Sequence, residues 1–266
     1  YRRGGERAPV LISEIAPSRY GLEVQQTGDI TLPADPSLPW LLPRTTEQGA
    51  LVELLTRMPY RLADWGYGVS TGPLVWNRFK SQLAHRPSSK RLPLIWAEAI
   101  TADGRFLFRA DKKNHAPYFE LTAGDTWLVT TKPCVLLQRT TAKEQSRRLI
   151  AAVLPVEFLE KHGGVVIENH VNMIRPITET PKVSAEVVGA FINSNAADRA
   201  FRCISGSVAV SAYELESLPM PAPEELAELT RLVNAGADRE LIEAACSTLF
   251  KGINSATTVC AKGAGR

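Results

Sequence analysis

The sequence predicts an α+β fold: a curved or barrel-like, mostly antiparallel β core with flanking helices and a helical pair at the C-terminus. Three observations carry this. Between about 92 and 177 the chain breaks into short β-branched or aromatic runs spaced near ten residues apart, as a meandering sheet requires. Helical periodicity flanks that stretch on both sides. Beyond the Pro-bounded LPMPAP, two segments carry apolar stripes with acidic outer faces, the pattern of helices that pack on one side only.

The elements follow in order. Residues 1–44 are rich in Pro and Gly with little periodicity, which predicts an extended lead-in with one short strand. Thr45 and Gln48 are spaced for a capping box opening a helix to about Met58, with Leu51, Val52, Leu54 and Leu55 as its apolar stripe. Gly49, Gly66, Gly68, Gly72 and Pro73 then mark a turn-rich passage. The sheet runs are LPLIWAEAI, RFLFRA, PYFEL, TWLVT, CVLLQ, RRLIAAVLP, VVIE and VNMIRPI. Ser184 is placed as N-cap of a helix whose Val187, Val188, Phe191 and Ile192 share one face. A strand-like SVAVSA follows. The terminal helices are EELAELTRLVNA and DRELIEAACSTLFKG, the second with Asp238 as N-cap and Gly252 past its end. The chain divides into a lead-in and connecting helix (1–58), a central domain (59–225) and C-terminal helices (226–266).

Composition narrows the class. With 266 residues, 44% apolar and 22% charged, the chain can bury a substantial core. No stretch approaches the roughly 18 apolar residues of a membrane span, so a soluble protein is expected. Cysteines stand at 134, 203, 246 and 260 without a C-x-x-C pair, and the four histidines have no ligand spacing. No metal site is indicated. Buried, reduced thiols are expected, and with them a reducing cytoplasm. The opening YRRGGERAP has no apolar core of a signal peptide, and a first residue Tyr1 fits a cut from a longer polypeptide.

Charge becomes informative once divided. Residues 1–60 carry 6 Lys+Arg against 7 Asp+Glu, residues 61–150 carry 15 against 7, and residues 151–266 carry 10 against 14. The local excess of +8 suggests a face turned to a polyanion, the alternative being an Arg-rich solvated surface. Chemistry, by contrast, has no sequence support. There is no G-x-x-x-x-G-K-[ST], no G-x-G-x-x-G after a strand and no G-x-S-x-G. In Asp35–Pro36–Ser37–Leu38–Pro39–Trp40 two residues interrupt a D-P-P-W-like tetrapeptide, which makes the segment a proline-bounded turn.

Four stretches carry a family resemblance: VSTG at 69–72, CVLLQRTTAKEQSRRLIAAVL at 134–154, ENHVN at 168–172 and VSAEVVGAFINSNAADRAFRCISGSVAVSAYELESLPMPAP at 183–223. Together they resemble the C-terminal target-recognition domain of adenine-N6 DNA methyltransferases of restriction-modification systems. These are of the TaqI-like and Eco57I-like type, and are similar to recognition domains of type I specificity subunits. Ser205–Gly206, Val208–Ser211 and Leu218–Pro221 match that pattern of turn, strand and Leu-Pro-x-Pro exit. The resemblance covers about residues 40–225. It implies duplex DNA as partner, together with a catalytic methyltransferase domain in the same or another chain that would bind S-adenosylmethionine. The N-P-P-Y-type tetrapeptide and cofactor glycines of that catalytic domain are missing here. This chain is therefore expected to hold no cofactor, and to be a fragment of a longer enzyme or a separate specificity protein.

Duplex recognition needs cations for phosphates and planar donors and acceptors for base edges. Arg78, Lys80, Arg86, Lys90 and Arg91 flank a Pro-Ser-Ser turn and are placed for phosphate. Arg109, Lys112, Lys113 and Asn114, beside Asp111 and His115, are expected at a hairpin tip shaped for a groove. Gln138, Arg139 and Thr140 end an apolar strand, where Arg139 either pairs with guanine or forms an ion pair with Glu144, and Gln138 is suited to adenine. Lys143, Gln145, Arg147 and Arg148 continue that loop. Ser70 and Thr71 either donate to a phosphate or cap a strand. Asn169 and Asn172 offer amides beside His170, itself more often a structural residue than a catalytic one in such a setting. Trp65, Trp76, Trp96 and Trp127 are expected in the core or at an interface. A rival reading makes the chain a protein-interaction module working through its apolar terminal helices.

Overall fold

The structure is a computed structural model and describes residues 9–35, 38–111, 114–141 and 145–251. It is a mixed α+β fold. Strands β1 (Val10–Ser18) and β2 (Gly21–Ile30) form an antiparallel ribbon, then α1 (Gly49–Thr56) and α2 (Leu62–Trp65) lead to β3 (Tyr67–Thr71). β4 (Leu83–Ala84), β5 (Arg91–Ile95), β6 (Tyr118–Glu120), β7 (Val129–Thr130), β8 (Val135–Gln138) and β9 (Ala151–Val153) follow. Helix α3 (Val156–His162) precedes β10 (Val165–Ile167) and β11 (Val171–Pro176). The chain ends in α4 (Ala185–Ile192), α5 (Asn195–Ile204), α6 (Ala212–Glu216), α7 (Ala227–Asn234) and α8 (Arg239–Leu249).

Two open sheets share the centre, ordered β4-β6-β5-β10-β7 and β3-β11-β8-β9. Every strand pairing is antiparallel except β5 with β10. Among the described residues no barrel closes. Helix α4 lies on the second sheet at Gly189, where a Cβ would stand 2.7 Å from Val153 Cγ2, so glycine permits the close approach. Trp65, fully buried, meets Phe191 edge-on at 5.2 Å. Its Nε1 donates to the Pro221 carbonyl at 3.0 Å and so fixes the Leu-Pro-x-Pro segment to α2.

The first structural departure is the lead-in. Instead of one short strand it forms a ribbon of nine and ten residues. The Thr45–Gln48 capping box does not form: Gln48 Oε1 accepts from the Arg44 N–H, Thr45 makes no side-chain cap, and α1 stops at Thr56. RFLFRA is not a strand; Phe106 and Phe108 instead pack on Phe158 at 5.1 and 5.4 Å. SVAVSA is reduced to a single bridge between Ala209 and Thr140. The expected caps of Ser184 and Asp238 are present, accepting from Val187 N and Leu241 N.

The terminal helices bury part of their apolar stripes within this chain, while Leu241 of α8 stays 51% exposed. Leu226, Leu229 and Cys246 belong to the same core cluster as Leu55, Trp65 and Phe191. Cys134, Cys203 and Cys246 are buried free thiols; Cys260, like Gly252, lies outside the described residues. Among the described residues no helix is long and apolar enough to cross a membrane.

Candidate nucleic-acid interface

Short segments far apart in sequence converge where the two sheets meet. β3 ends at Thr71 and the backbone turns at Gly72, whose N–H donates to the Val171 carbonyl at 2.8 Å. A Cβ at Gly72 would stand 2.2 Å from the Glu168 carbonyl oxygen and 2.6 Å from that of Ile167, so any larger residue must displace backbone. Asn169 N–H donates to Leu74 O at 2.9 Å, and Arg139 N–H to His170 O at 3.0 Å. Val210 N–H in turn donates to Arg139 O at 2.8 Å, and Thr141 N–H to Val208 O at 3.3 Å. VSTG, QRTT, ENHVN and SGSVAVS thus form one hydrogen-bonded cluster.

Its accessible chemistry is mixed donor and acceptor. Thr71 and Thr140 are exposed, while Ser70, Arg139 and Asn169 are half-buried. Arg139 Nη1 donates to the Asn169 carbonyl at 3.2 Å, which orients the guanidinium. The His170 side chain is 59% exposed, with Nδ1 2.9 Å from Oε2 of the fully buried Glu168. The His170 backbone N–H donates to that same oxygen at 2.8 Å. Sequence reasoning passed over Glu168, because an acidic residue closing an apolar strand reads as its solvent end. The available signal was the two-residue spacing to His170.

An aromatic step adjoins the cluster. Glu168 N–H donates to Ile95 O at 3.0 Å, and the next residue, Trp96, is buried. Trp76, 37% exposed, lies 6.4 Å from Trp96, with Lys80 Nζ 5.6 Å from its own ring centroid. The His115 ring stacks on Trp96 at 4.2 Å, and its Nδ1 is 2.7 Å from Glu98 Oε1.

Other expected contacts are placed differently. Arg78, Lys80, Arg86, Lys90 and Asn114 are exposed. Arg91 is half-committed: it pairs with Glu120 at 2.7 Å and donates to the Arg86 carbonyl at 3.1 Å. Residues 109–111 and 114–115 belong to no strand, and Arg109 stands 3.6 Å from Asp111. Lys112, Lys113, Lys143 and Glu144 lie outside the described residues.

Four residues turn inward. Gln138 Nε2 donates to the carbonyls of Ala97 and Ile100, at 3.3 and 2.8 Å, tying β8 to the 97–99 turn rather than facing a groove. Arg147 donates to the carbonyls of Asn193 and Ala102, and burial pulls its pKa down from the ordinary arginine value. Arg148 bonds Thr141 Oγ1 at 2.9 Å. Asn172 is fully buried, its Nδ2 donating to Val210 O at 2.8 Å, so it organises the cluster from beneath. Gln145 is half-buried and interacts within the chain.

Among the described residues no group of three or more His, Cys, Asp or Glu side chains is placed to hold a metal ion. The chain is 28% identical over 192 residues to the type II methyltransferase M.BsuBI of Bacillus subtilis, covering 71% of this chain and 38% of that protein. It is 29% identical over 182 residues to the type II methyltransferase M.PstI of Providencia stuartii, covering 67% of this chain and 35% of that protein. The chain thus spans little more than a third of these relatives. No family model matches it. The similarity establishes a relationship to type II methyltransferases.

Proposed function

We propose that this chain is the DNA-recognition part of a site-specific adenine-N6 DNA methyltransferase of a restriction-modification system. Arg78, Lys80, Arg86 and Lys90 grip the phosphates. Arg139, His170, Thr140 and Asn169 meet base edges, and Ser70 and Thr71 donate to the backbone. The duplex is thereby held so that a separate catalytic domain can extrude an adenine and methylate it. That domain, in the same or another chain, binds S-adenosylmethionine; no residue here is assigned to the cofactor.

The observation carrying this reading is the convergence of VSTG, QRTT, ENHVN and SGSVAVS around Arg139 and His170. The two relatives, both type II methyltransferases, supply its context. The test separates the two kinds of contact. Arg139→Ala should lose discrimination between the preferred duplex and a scrambled one by about 1–3 kcal/mol, roughly a five- to 150-fold change. Arg86→Ala should weaken both duplexes alike. Equal effects of the two substitutions would contradict the assignment.

A further inference from the structure

The β1–β2 ribbon presents an apolar face that no described residue of this chain covers. Cross-strand partners share a face and successive residues alternate, save where the register shifts opposite Ile12 and Ser13 and β2 carries one extra residue. The register pairs Leu11 with Asp29, Ser13 with Gln26, Ile15 with Val24 and Pro17 with Leu22. On that face Leu11 and Ile15 are each 65% exposed, Leu22 75% and Val24 69%. The opposite face pairs Val10 with Ile30 and Ile12 with Gly28. At its base Ile30 is buried and Ile12 packs on the core, and a Cβ at Gly28 would stand 3.2 Å from Pro43. Toward the tip this second face turns acidic, with Glu14 and Glu23. The ribbon is therefore seated by one face and offers the other outward.

Concentration makes this more than scattered surface apolarity. Of the fifteen large apolar side chains exposed among the described residues, eight lie between Val10 and Trp40. Between residues 9 and 43, Arg19 is the only Lys or Arg, against Glu14, Glu23, Asp29 and Asp35. A polyanion or an anionic membrane is thereby disfavoured, leaving protein. A free dimer of standard size draws roughly 20–30 residues from each partner, far more than this face offers. A small contact suffices when a tether or a shared substrate holds the partners together. The matched relatives each hold more than half their length outside the similar segment.

We propose that the Leu11–Ile15–Leu22–Val24 face docks against the catalytic methyltransferase domain. This rests on the function proposed above. The ribbon then acts as the strut that fixes the recognition surface relative to the catalytic pocket.

The experiment co-expresses the tagged chain with the portion of M.BsuBI that lies outside the matched segment. It compares wild type, the triple variant Ile15→Ser/Leu22→Ser/Val24→Thr and the opposite-face variant Glu14→Lys/Glu23→Lys. Duplex DNA binding and melting of each chain are measured in parallel. Co-purification with wild type and the opposite-face variant, reduced at least tenfold in the triple variant with melting unchanged, is the expected result. Equal retention by all three, or retention by none, overturns the proposal. So does a concentration-dependent dimer of the chain that the triple variant abolishes, which assigns the face to a second copy. Loss of DNA binding by the wild-type chain would instead strike the recognition reading, since docking is read out separately.

Discussion

Asn172 Nδ2 donates to the Val210 carbonyl at 2.8 Å, joining β11 to a segment 38 residues away, while its Oδ1 is buried without a hydrogen-bond partner. This single amide holds the 205–211 turn against the strand that carries ENHVN. Asn172→Ala should cost about 1–3 kcal/mol in urea unfolding, because the Val210 carbonyl loses a buried donor. The salt dependence of DNA binding should not change, since the side chain reaches no solvent. A changed salt slope with unchanged stability would place Asn172 at the DNA after all.

Gly72 gives a second test of the same cluster. Backbone oxygens lie 2.2 and 2.6 Å from the point a Cβ would occupy there, so Gly72→Ala must push two chain segments apart, at about 1–3 kcal/mol. Gly163→Ala is the comparison: φ is +72° and nothing lies within 4 Å of the added carbon. Only the left-handed conformation is penalised there, by about 1 kcal/mol. The variant at Gly72 should lose specific DNA binding as well as stability, and the one at Gly163 stability alone. Unfolding curves paired with duplex titrations decide it.

The thiols should be inert in the native state. Burial pushes the pKa of Cys134 and of Cys246 up to about 12 and that of Cys203 to about 11, and only the thiolate is nucleophilic. Iodoacetamide at pH 8 should leave all three unmodified by peptide mass spectrometry until denaturant is added. Rapid native alkylation at any of them would contradict the packing described.

Acid sensitivity should trace in part to Asp125. Its carboxylate accepts from Thr122 Oγ1 at 2.6 Å, from the Thr122 N–H at 2.9 Å and from Gln82 Nε2 at 2.6 Å. These bonds, the Thr122 hydroxyl foremost, hold its pKa below the usual aspartate value. A depressed folded pKa contributes stability above the unfolded pKa, and that contribution disappears as pH falls through the folded value. Asp125→Asn should therefore narrow the gap between urea midpoints at pH 7 and pH 3. An unchanged gap would refute the role.

What could be read in the sequence was mostly local. Ser184 and Asp238 announce their helices because a cap is decided within three residues of its own chain. The β1–β2 ribbon gave no such signal: its exposed face is the apolar one, Pro17 interrupts the run, and the turn at Arg19 and Tyr20 lacks a typical turn dipeptide. Helix α5 was missed because its buried positions, Ala197, Ala200 and Cys203 around Phe201, are mostly small.

At the site, residue types were legible but directions were not. Gln138, Arg139 and Thr140 follow one apolar strand, yet Gln138 turns to Ala97 and Ile100 while Arg139 reaches Asn169 and Thr140 stays exposed. Partners thirty or more residues away decide which polar side chain faces a groove and which ties the sheet together. Arg147 and Asn172 turn inward for the same reason.

The most direct test is selection of this chain against a randomised duplex library, with affinity followed across salt. The account predicts an enriched short motif and a log–log salt slope of about −0.9 for each phosphate contact. That slope should become shallower by about one on removing Arg86 or Lys90. No retained duplex even at low salt would contradict it.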